Sequence, residues 1–300
     1  MTKGLRRRAI NYRNDFMGAR RASGRVLTGI GNVVFNAYAD LAHHSRRLRC
    51  DFDALSEGDL CTHRETKTVR RWPRRIVRCQ RCQTAFAAVR DPLDRAEQRH
   101  GGDYFLANKE LLYPDGKPNL FNYLMPRTLF LWALGFSEFR PANRRSLDVG
   151  CGMGIMPKYM ELHGFDAFGV EISEWAVEYA RRELGLKNIL RGTVRGAAFP
   201  ADHFGFVSVV HVLEHLDDPV PTLQEVFRVL EPGGWAYVEV PSSERDVSDY
   251  GIDDHFWFYS VDSLHRLLGC LGFRDVRIGE GTFEKRLHNV PFIFAAARKP

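Results

Sequence analysis

No run in this 300-residue chain approaches the apolar length of a membrane span, which takes about eighteen residues with few charges. Nor does the opening MTKGLRRR lead into a secretory apolar core. A soluble, cytoplasmic chain is expected. The alternative is an organelle transit peptide through Arg25, because the leader is Arg-rich and acid-poor, although it lacks a clean amphipathic pattern. Cysteine is sparse, and the six residues at 50, 61, 79, 82, 151 and 270 show no secreted disulfide framework. A reducing compartment, in which thiols stay free or bind metal, fits them. No internal repeat or low-complexity tract is present either.

What is there is a composition that folds: at 44% hydrophobic residues the chain can bury one sizeable core and a small appended module. Charge is uneven. Residues 1–100 hold 22 Lys and Arg against 10 Asp and Glu, a balance of +12, so the overall +6 leaves −6 for the remaining 200 residues. A front end this basic suits nucleic acid, an anionic carrier or an acidic membrane surface, and it is equally the composition of a solvated or disordered segment.

Four regions follow from the pattern. Residues 1–49 are basic and weakly periodic and read as an arm. Within 50–90, cysteines and β-type residues interleave, and RIVRCQRCQTAF (75–86) reads as a strand, a cysteine turn and a returning strand, the outline of a zinc ribbon. Residues 91–140 form a helical connector and lid, with an apolar helix from Leu120 to Phe136 bent at Pro126. From 141 to 300, strands at 146–149, 167–171, 188–191, 206–211 and 235–240 alternate with helices at 155–163, 174–184 and 219–230. Such alternation means βαβ units and a mostly parallel α/β sheet. Val220, Leu223, Phe227 and Leu230 share one helical face, as do Leu264, Leu267, Leu268 and Leu271. The closing runs 275–278 and 292–297 lack a crossover helix between them and read as an antiparallel pair at the sheet's end.

The first strand of that sheet ends in Leu147-Asp148-Val149-Gly150-Cys151-Gly152-Met153-Gly154, directly before a helix. Glycines there let the backbone turn tightly and approach a ligand at the carboxyl ends of parallel strands. A dinucleotide fingerprint needs G-x-G-x-x-G, whereas the sixth place counted from Gly150 is Ile155, so the loop is G-x-G-x-G. Asp148 adds a negative charge that disfavours phosphate and suits a ligand carrying an ammonium and a sulfonium. Glu171 ends the second strand, 21 residues after Gly150, where a carboxylate can accept hydrogen bonds from both hydroxyls of a nucleoside ribose.

The stretches DVGCGMG, GVEIS, HVLEHLDDP and VLEPGGW resemble, in order and spacing, the motifs of class I S-adenosylmethionine-dependent methyltransferases over about Asn119 to Arg298. The resemblance implies a Rossmann-like methyltransferase sheet, mostly parallel with an antiparallel last strand. It implies that Gly150, Gly152 and Gly154 line the methionine part of the cofactor, with Asp148 and Cys151 in the same loop, that Glu171 and Ile172 meet the ribose, and that Thr193 and Val194 flank the adenine. His211 falls within the cofactor-binding set. Gly205 departs from the pattern, standing where the family often has an aspartate, and no acidic residue accompanies Thr193.

His211-Val212-Leu213-Glu214-His215 spells H-x-x-E-H, an inverted zinc-protease signature when the histidines share a helical face. Here the motif follows a strand and runs into Asp217-Asp218-Pro219, so the two histidines sit at a strand end and turn. His215 is the candidate general base, able to take a proton from a hydroxyl or an acidic carbon as that atom attacks the methyl group, with Glu214 orienting the imidazole. The plain alternative is that both residues only fix the turn. Some similar ubiquinone-pathway O-methyltransferases use this region for a divalent metal, which makes His211, Glu214 and His215 a partial ligand set by that resemblance. Tyr104, His255 and Tyr259 are further substrate-side candidates, read as an aromatic lid.

Cys79-x-x-Cys82 supplies half a tetrahedral thiolate site, and Cys61 lies eighteen residues upstream. Structural zinc would be held by Cys50, Cys61, Cys79 and Cys82, or by Cys61, His63, Cys79 and Cys82; a metal-free remnant with buried thiols is the alternative. This front end, with its later Asp103-Tyr104-Phe105, resembles the zinc-binding module of bacterial sugar C-methyltransferases. Those proteins carry an extra C-terminal domain, so the sugar substrate is not carried over.

The sequence thus points to methyl transfer from S-adenosylmethionine to an oxygen or carbon of a small-molecule acceptor. Its rivals are methylation of a nucleic acid or carrier-bound substrate recruited by the basic arm, a non-catalytic cofactor-binding scaffold, and hydride transfer with a nicotinamide cofactor, which the loop spacing disfavours.

Overall fold

The computed structural model describes residues 63–70, 75–88, 104–105, 143–243, 255–285 and 288–300. All of these fall in the second of the chain's two compact units, Asn36–Pro300. The basic arm, Cys50, Cys61 and the helix expected at Leu120–Phe136 lie outside the described residues.

Three short strands come first: β1 (Thr66–Arg70), β2 (Ile76–Cys79) and β3 (Ala85–Ala87). Then follow β4 (Arg145–Val149), α1 (Ile155–Leu162), β5 (Asp166–Glu171), α2 (Glu174–Glu183), β6 (Asn188–Arg191) and β7 (Phe204–Val210). After a single 3-10 turn at Leu213–His215 come α3 (Val220–Val229), β8 (Leu230–Pro241), β9 (Trp257–Phe258), α4 (Val261–Cys270), β10 (Arg274–Lys285) and β11 (His288–Arg298).

Seven strands form one sheet in the order β10-β11-β8-β7-β4-β5-β6. The pairs from β8 through β6 are parallel, and β11 enters antiparallel between β8 and β10. Central β7, FGFVSVV, is buried along nearly its whole length, as expected of a strand covered by helices on both faces. The helices begin where the chain supplies caps. Ser173 accepts from the Ala176 amide at the start of α2, and Ser260 and Ser263 form a capping box on α4.

Helix α3 buries Leu223, Val226 and Val229; of the expected stripe, Leu223 and Leu230 are fully buried and Phe227 packs against the core, meeting Phe273 edge-on at 5.0 Å, although Leu230 already belongs to β8. On α4 the expected face holds, with Leu264 and Leu268 fully buried and Leu267 and Leu271 packed against the core. No helix among the described residues is long and apolar enough to cross a membrane.

Chain order reverses at the centre: from β4 the strands run outward to β5 and β6 on one side, while β7 and β8 lie on the other. Ligands of open α/β sheets bind above this switch point, outside the carboxyl ends of the strands. The second sheet, β1-β2-β3-β9, is antiparallel. Its last strand comes from residues 257–258, so the expected ribbon at 50–90 shares backbone hydrogen bonds with the larger domain instead of standing apart.

Candidate active site

The cofactor half is built from the ends of β4 and β5. Gly150 and Gly154 adopt φ of +69° and +84°, a left-handed conformation that residues with a Cβ rarely take. A Cβ at Gly150 would stand 2.4 Å from Val212 Cγ2, and one at Gly154 would stand 2.5 Å from Leu186 Cδ1. The loop is therefore glycine-rich for close packing as well as for its turn.

Glu171 closes the loop. Its Oε2 accepts from the Gly152 amide and its Oε1 from the Ser173 amide, both at 2.9 Å. Burial pushes this carboxyl above its usual range, while the amides of Ser173, Gly152 and Ile172 pull it back. The result is a carboxyl group fixed at the carboxyl end of β5, where amides of the glycine loop and of the turn after β5 converge on it.

Asp148, at the end of β4, is buried and accepts from the Ser208 hydroxyl at 2.6 Å. Cys151 points its sulfur back toward Gly169 in the sheet, and burial followed by the charges of Glu171 and Asp148 raises its thiol. Ile172 is half-buried beside Glu171. The Thr193 hydroxyl accepts from the Gly196 amide at 3.1 Å, and the Val194 side chain joins the core.

The catalytic half is built from the end of β7, the 3-10 turn and residue 255. Glu214, fully buried, receives His211 Nδ1 at 3.1 Å on its Oε1. The other ring nitrogen of His211 lies 3.1 Å from Glu239 Oε1, and Tyr237 donates to Glu239 Oε2 at 2.6 Å. Burial opposes a charge on His211, but the hydrogen bonds and charges of Glu214 and Glu239 prevail and raise its pKa to about 10. Burial likewise opposes the Glu214 charge, and the His211 hydrogen bond with the charges of His215, His211 and His255 brings it to about 2. His211 is thus an imidazolium clamped between two carboxylates.

His215 sets Nε2 3.9 Å from Glu214 Oε1 and packs edge-on against His255 with ring centroids 4.8 Å apart. Ligand-capable atoms of Glu214, His215 and His255 all lie within 4.8 Å of one another, and Glu214 Oε2 is buried without a hydrogen-bond partner among the described residues. A divalent ion here would take His255 in place of His211, whose two nitrogens are engaged. Of the two lid tyrosines, Tyr259 is 1% exposed within the core, while Tyr104 is 42% exposed and meets Phe105 edge-on at 5.2 Å. It is Phe105 that lies against Gly152 and stacks on Trp175, 5.9 Å between centroids.

Sequence reasoning missed Glu239, Tyr237 and Phe105. The available signal was a carboxylate inside the otherwise apolar strand WAYVEV, with a tyrosine two residues before it on the same face. In the ribbon, Cys79 and Cys82 come together with His63, their ligand atoms within 4.8 Å.

With this geometry in place, comparisons extend it. A sequence model of the methyltransferase domain family matches residues 119–278. A ubiquinone biosynthesis O-methyltransferase of Nitrosospira multiformis is 34% identical over 103 residues, which is 33% of this chain and 43% of that protein. The match thus spans less than half the length of that relative. Among solved structures, a SAM-dependent methyltransferase from Archaeoglobus fulgidus aligns with TM-score 0.51 and 20% identity over 66% of this chain and 100% of its own. The [4+2]-cyclase SpnF aligns with TM-score 0.53 and 17% identity over 70% of this chain and 98% of its own. Likenesses this distant establish the fold and leave the reaction to the site. The chain belongs to the methyltransferase domain family, and its sheet is the Rossmann-like sheet of the class I S-adenosylmethionine-dependent methyltransferases.

Proposed function

We propose that the chain transfers a methyl group from S-adenosylmethionine to an oxygen or carbon of a small metabolite, with His215 as general base. Glu171 carries the cofactor half of this reading. Its carboxylate, fixed by the Gly152 and Ser173 amides, presents two charged acceptors to the hydroxyl pair of a ribose. With Asp148 also buried beside the glycine loop, the local charge opposes a pyrophosphate and favours a cationic ligand. The name of the curated relatives, O-methyltransferase, supports oxygen as the acceptor atom.

S-adenosylmethionine held there by Glu171 and the glycine loop would supply a methyl group on a sulfonium, whose carbon–sulfur bond breaks to leave a neutral thioether as the acceptor takes the methyl. His215 holds Nε2 3.9 Å from Glu214 Oε1, and its imidazole would take the proton that the acceptor gives up as its bond to carbon forms. Glu214, held anionic by His211, keeps the imidazole oriented. A second reading rests on the lone Glu214 Oε2: Glu214, His215 and His255 would hold a divalent cation that binds the acceptor oxygen.

The experiment is a calorimetric titration of the chain and its Glu171→Ala variant with S-adenosylmethionine and with NAD. Binding of the former, weakened at least tenfold by the substitution, is the expected result. Preference for NAD, or no binding of either, would overturn the reading. Once an acceptor is found, His215→Ala should lower kcat about 10²- to 10⁴-fold, the usual span for losing a general base, with cofactor affinity changed less than twofold. Equal loss of both would sink the base assignment.

A further inference from the structure

The ribbon and the catalytic turn are joined through one tryptophan. Strand β9 is the fourth strand of the ribbon sheet, pairing Trp257 with Phe86 and Phe258 with Ala85. The indole of Trp257 donates to the Leu216 carbonyl at 2.7 Å, one residue beyond His215. The next residue back, Phe256, donates its amide to the Glu214 carbonyl at 2.6 Å and accepts from the Ala87 amide at 2.8 Å. Whatever fixes the ribbon sheet therefore fixes the backbone that carries Glu214, His215 and His255.

On the ribbon side of Trp257 stands a cluster with the chemistry of a soft-metal site. Cys79 and Cys82 are both buried, and the Cys82 amide points at Cys79 Sγ at 3.5 Å. The Cys82 thiol donates to Thr84 Oγ1 at 3.3 Å, and on ionisation of the thiol the same hydroxyl would donate to the sulfur. His63 Nδ1 lies 3.3 Å from Cys82 Sγ. A tetrahedral zinc with bonds of about 2.0–2.3 Å sets its ligand atoms about 3.3–3.8 Å apart, and these three sit within 4.8 Å of one another without an ion. His63 holds a left-handed φ of 53°, a conformation uncommon for histidine outside constrained positions. Its ring packs on Phe86 at 5.2 Å and on Trp257 at 5.6 Å.

We propose that His63, Cys79 and Cys82 bind a thiophilic divalent cation, zinc by ligand chemistry, and that this ion holds Trp257 and β9 in place as the wall of the catalytic pocket. A buried thiol pair beside an imidazole, with an amide and a hydroxyl directed at the sulfurs, is a donor set for zinc and a poor one for magnesium or calcium. The coupling path runs from the ion through the His63 ring to Trp257, then to Leu216 and Glu214. Ion binding and wall ordering are independent of methyl transfer, so they can be tested whether or not that reading holds.

The test uses the full chain loaded with cobalt(II), whose sulfur-to-metal charge-transfer absorption reports thiolate ligands and is silent for an ion held by Glu214, His215 and His255. One equivalent should give the band, zinc should displace it, and Cys79→Ser and Cys82→Ser should each abolish it while His255→Ala retains it. Hydrogen exchange is then followed in zinc-loaded and chelator-stripped wild type, which needs no variant to fold. Stripping should speed exchange at least tenfold at 213–216 and 255–259 while leaving β4 and β7 unchanged. A missing band, or one that survives both serine variants, would overturn the site. Unchanged exchange at 213–216 and 255–259 would overturn the coupling.

Discussion

His211 joins Glu214 to Glu239: its two ring nitrogens lie 3.1 Å from a carboxylate oxygen of each. One residue arrives from the turn after β7 and the other from near the carboxyl end of β8, so the imidazolium ties the catalytic turn to the neighbouring strand. Replacing His211 by Gln removes the positive charge and leaves two buried carboxylates facing each other. Breaking a buried ion pair on one side costs about 3–5 kcal/mol, so H211Q should fall in that range by chemical denaturation. Glu239→Gln should cost less, because it removes one of the two negative charges. Equal effects would mean that packing rather than charge holds the network.

The same network sets a pH window for stability. His211 is raised from 6.5 to about 10 in the folded chain, so its contribution is complete below 6.5 and is lost as pH climbs through about 10. Glu214 is lowered from 4.5 to about 2, so its contribution is complete above 4.5 and is lost as pH falls through about 2. The stability difference between wild type and H211Q should therefore be greatest between about 4.5 and 6.5 and shrink toward either extreme. Denaturation midpoints across the pH range measure it; a difference that grows above pH 8 would contradict the assignment.

Cofactor binding should carry its own pH dependence. Glu171 is raised above 4.5 by burial, and ribose hydroxyls donate to its ionised form. Affinity for S-adenosylmethionine should then fall as pH drops through that raised value, and Glu171→Gln should flatten the fall. Calorimetric titrations of wild type and E171Q at matched pH values compare the two slopes.

Much of this was legible in the chain, for physical reasons that also explain the gaps. Except for β8, which starts at Leu230 rather than the expected 235, the parallel strands and their helices stand within about two residues of their expected ends, because alternating β-rich and helical runs bounded by Gly and Ser leave few other assignments. Strand β10 runs seven residues past the expected 275–278, to Lys285. The segment GEGTFEK has little strand character of its own, and pairing with β11 carries it. Two-residue β9 has no period to read. Glu239 was hidden because a strand buried on both faces gives no alternation to say which way its carboxylate turns. His255 and Tyr259 stand four residues apart in one segment, yet one meets His215 and the other enters the core, a difference only the tertiary fold decides.

Gly150 gives a way to separate backbone strain from crowding at the junction of the two half-sites. Its φ of +69° makes any Cβ unfavourable, a penalty of about 1–2 kcal/mol. The added methyl would also stand 2.4 Å from Val212 Cγ2, and overpacking of this kind costs about 1–3 kcal/mol more. Val212 immediately precedes the turn that carries Glu214 and His215, so a displaced Val212 moves the catalytic groups as well. Gly150→Ala should therefore destabilise the chain and weaken S-adenosylmethionine binding together. In Gly150→Ala/Val212→Ala the clash is gone while the left-handed strain remains, so the double variant should recover the crowding part of the binding loss and keep the strain part of the stability loss. Denaturation and calorimetry on the four proteins of this cycle measure the coupling. Full additivity would mean that the loop and the catalytic turn do not sense each other.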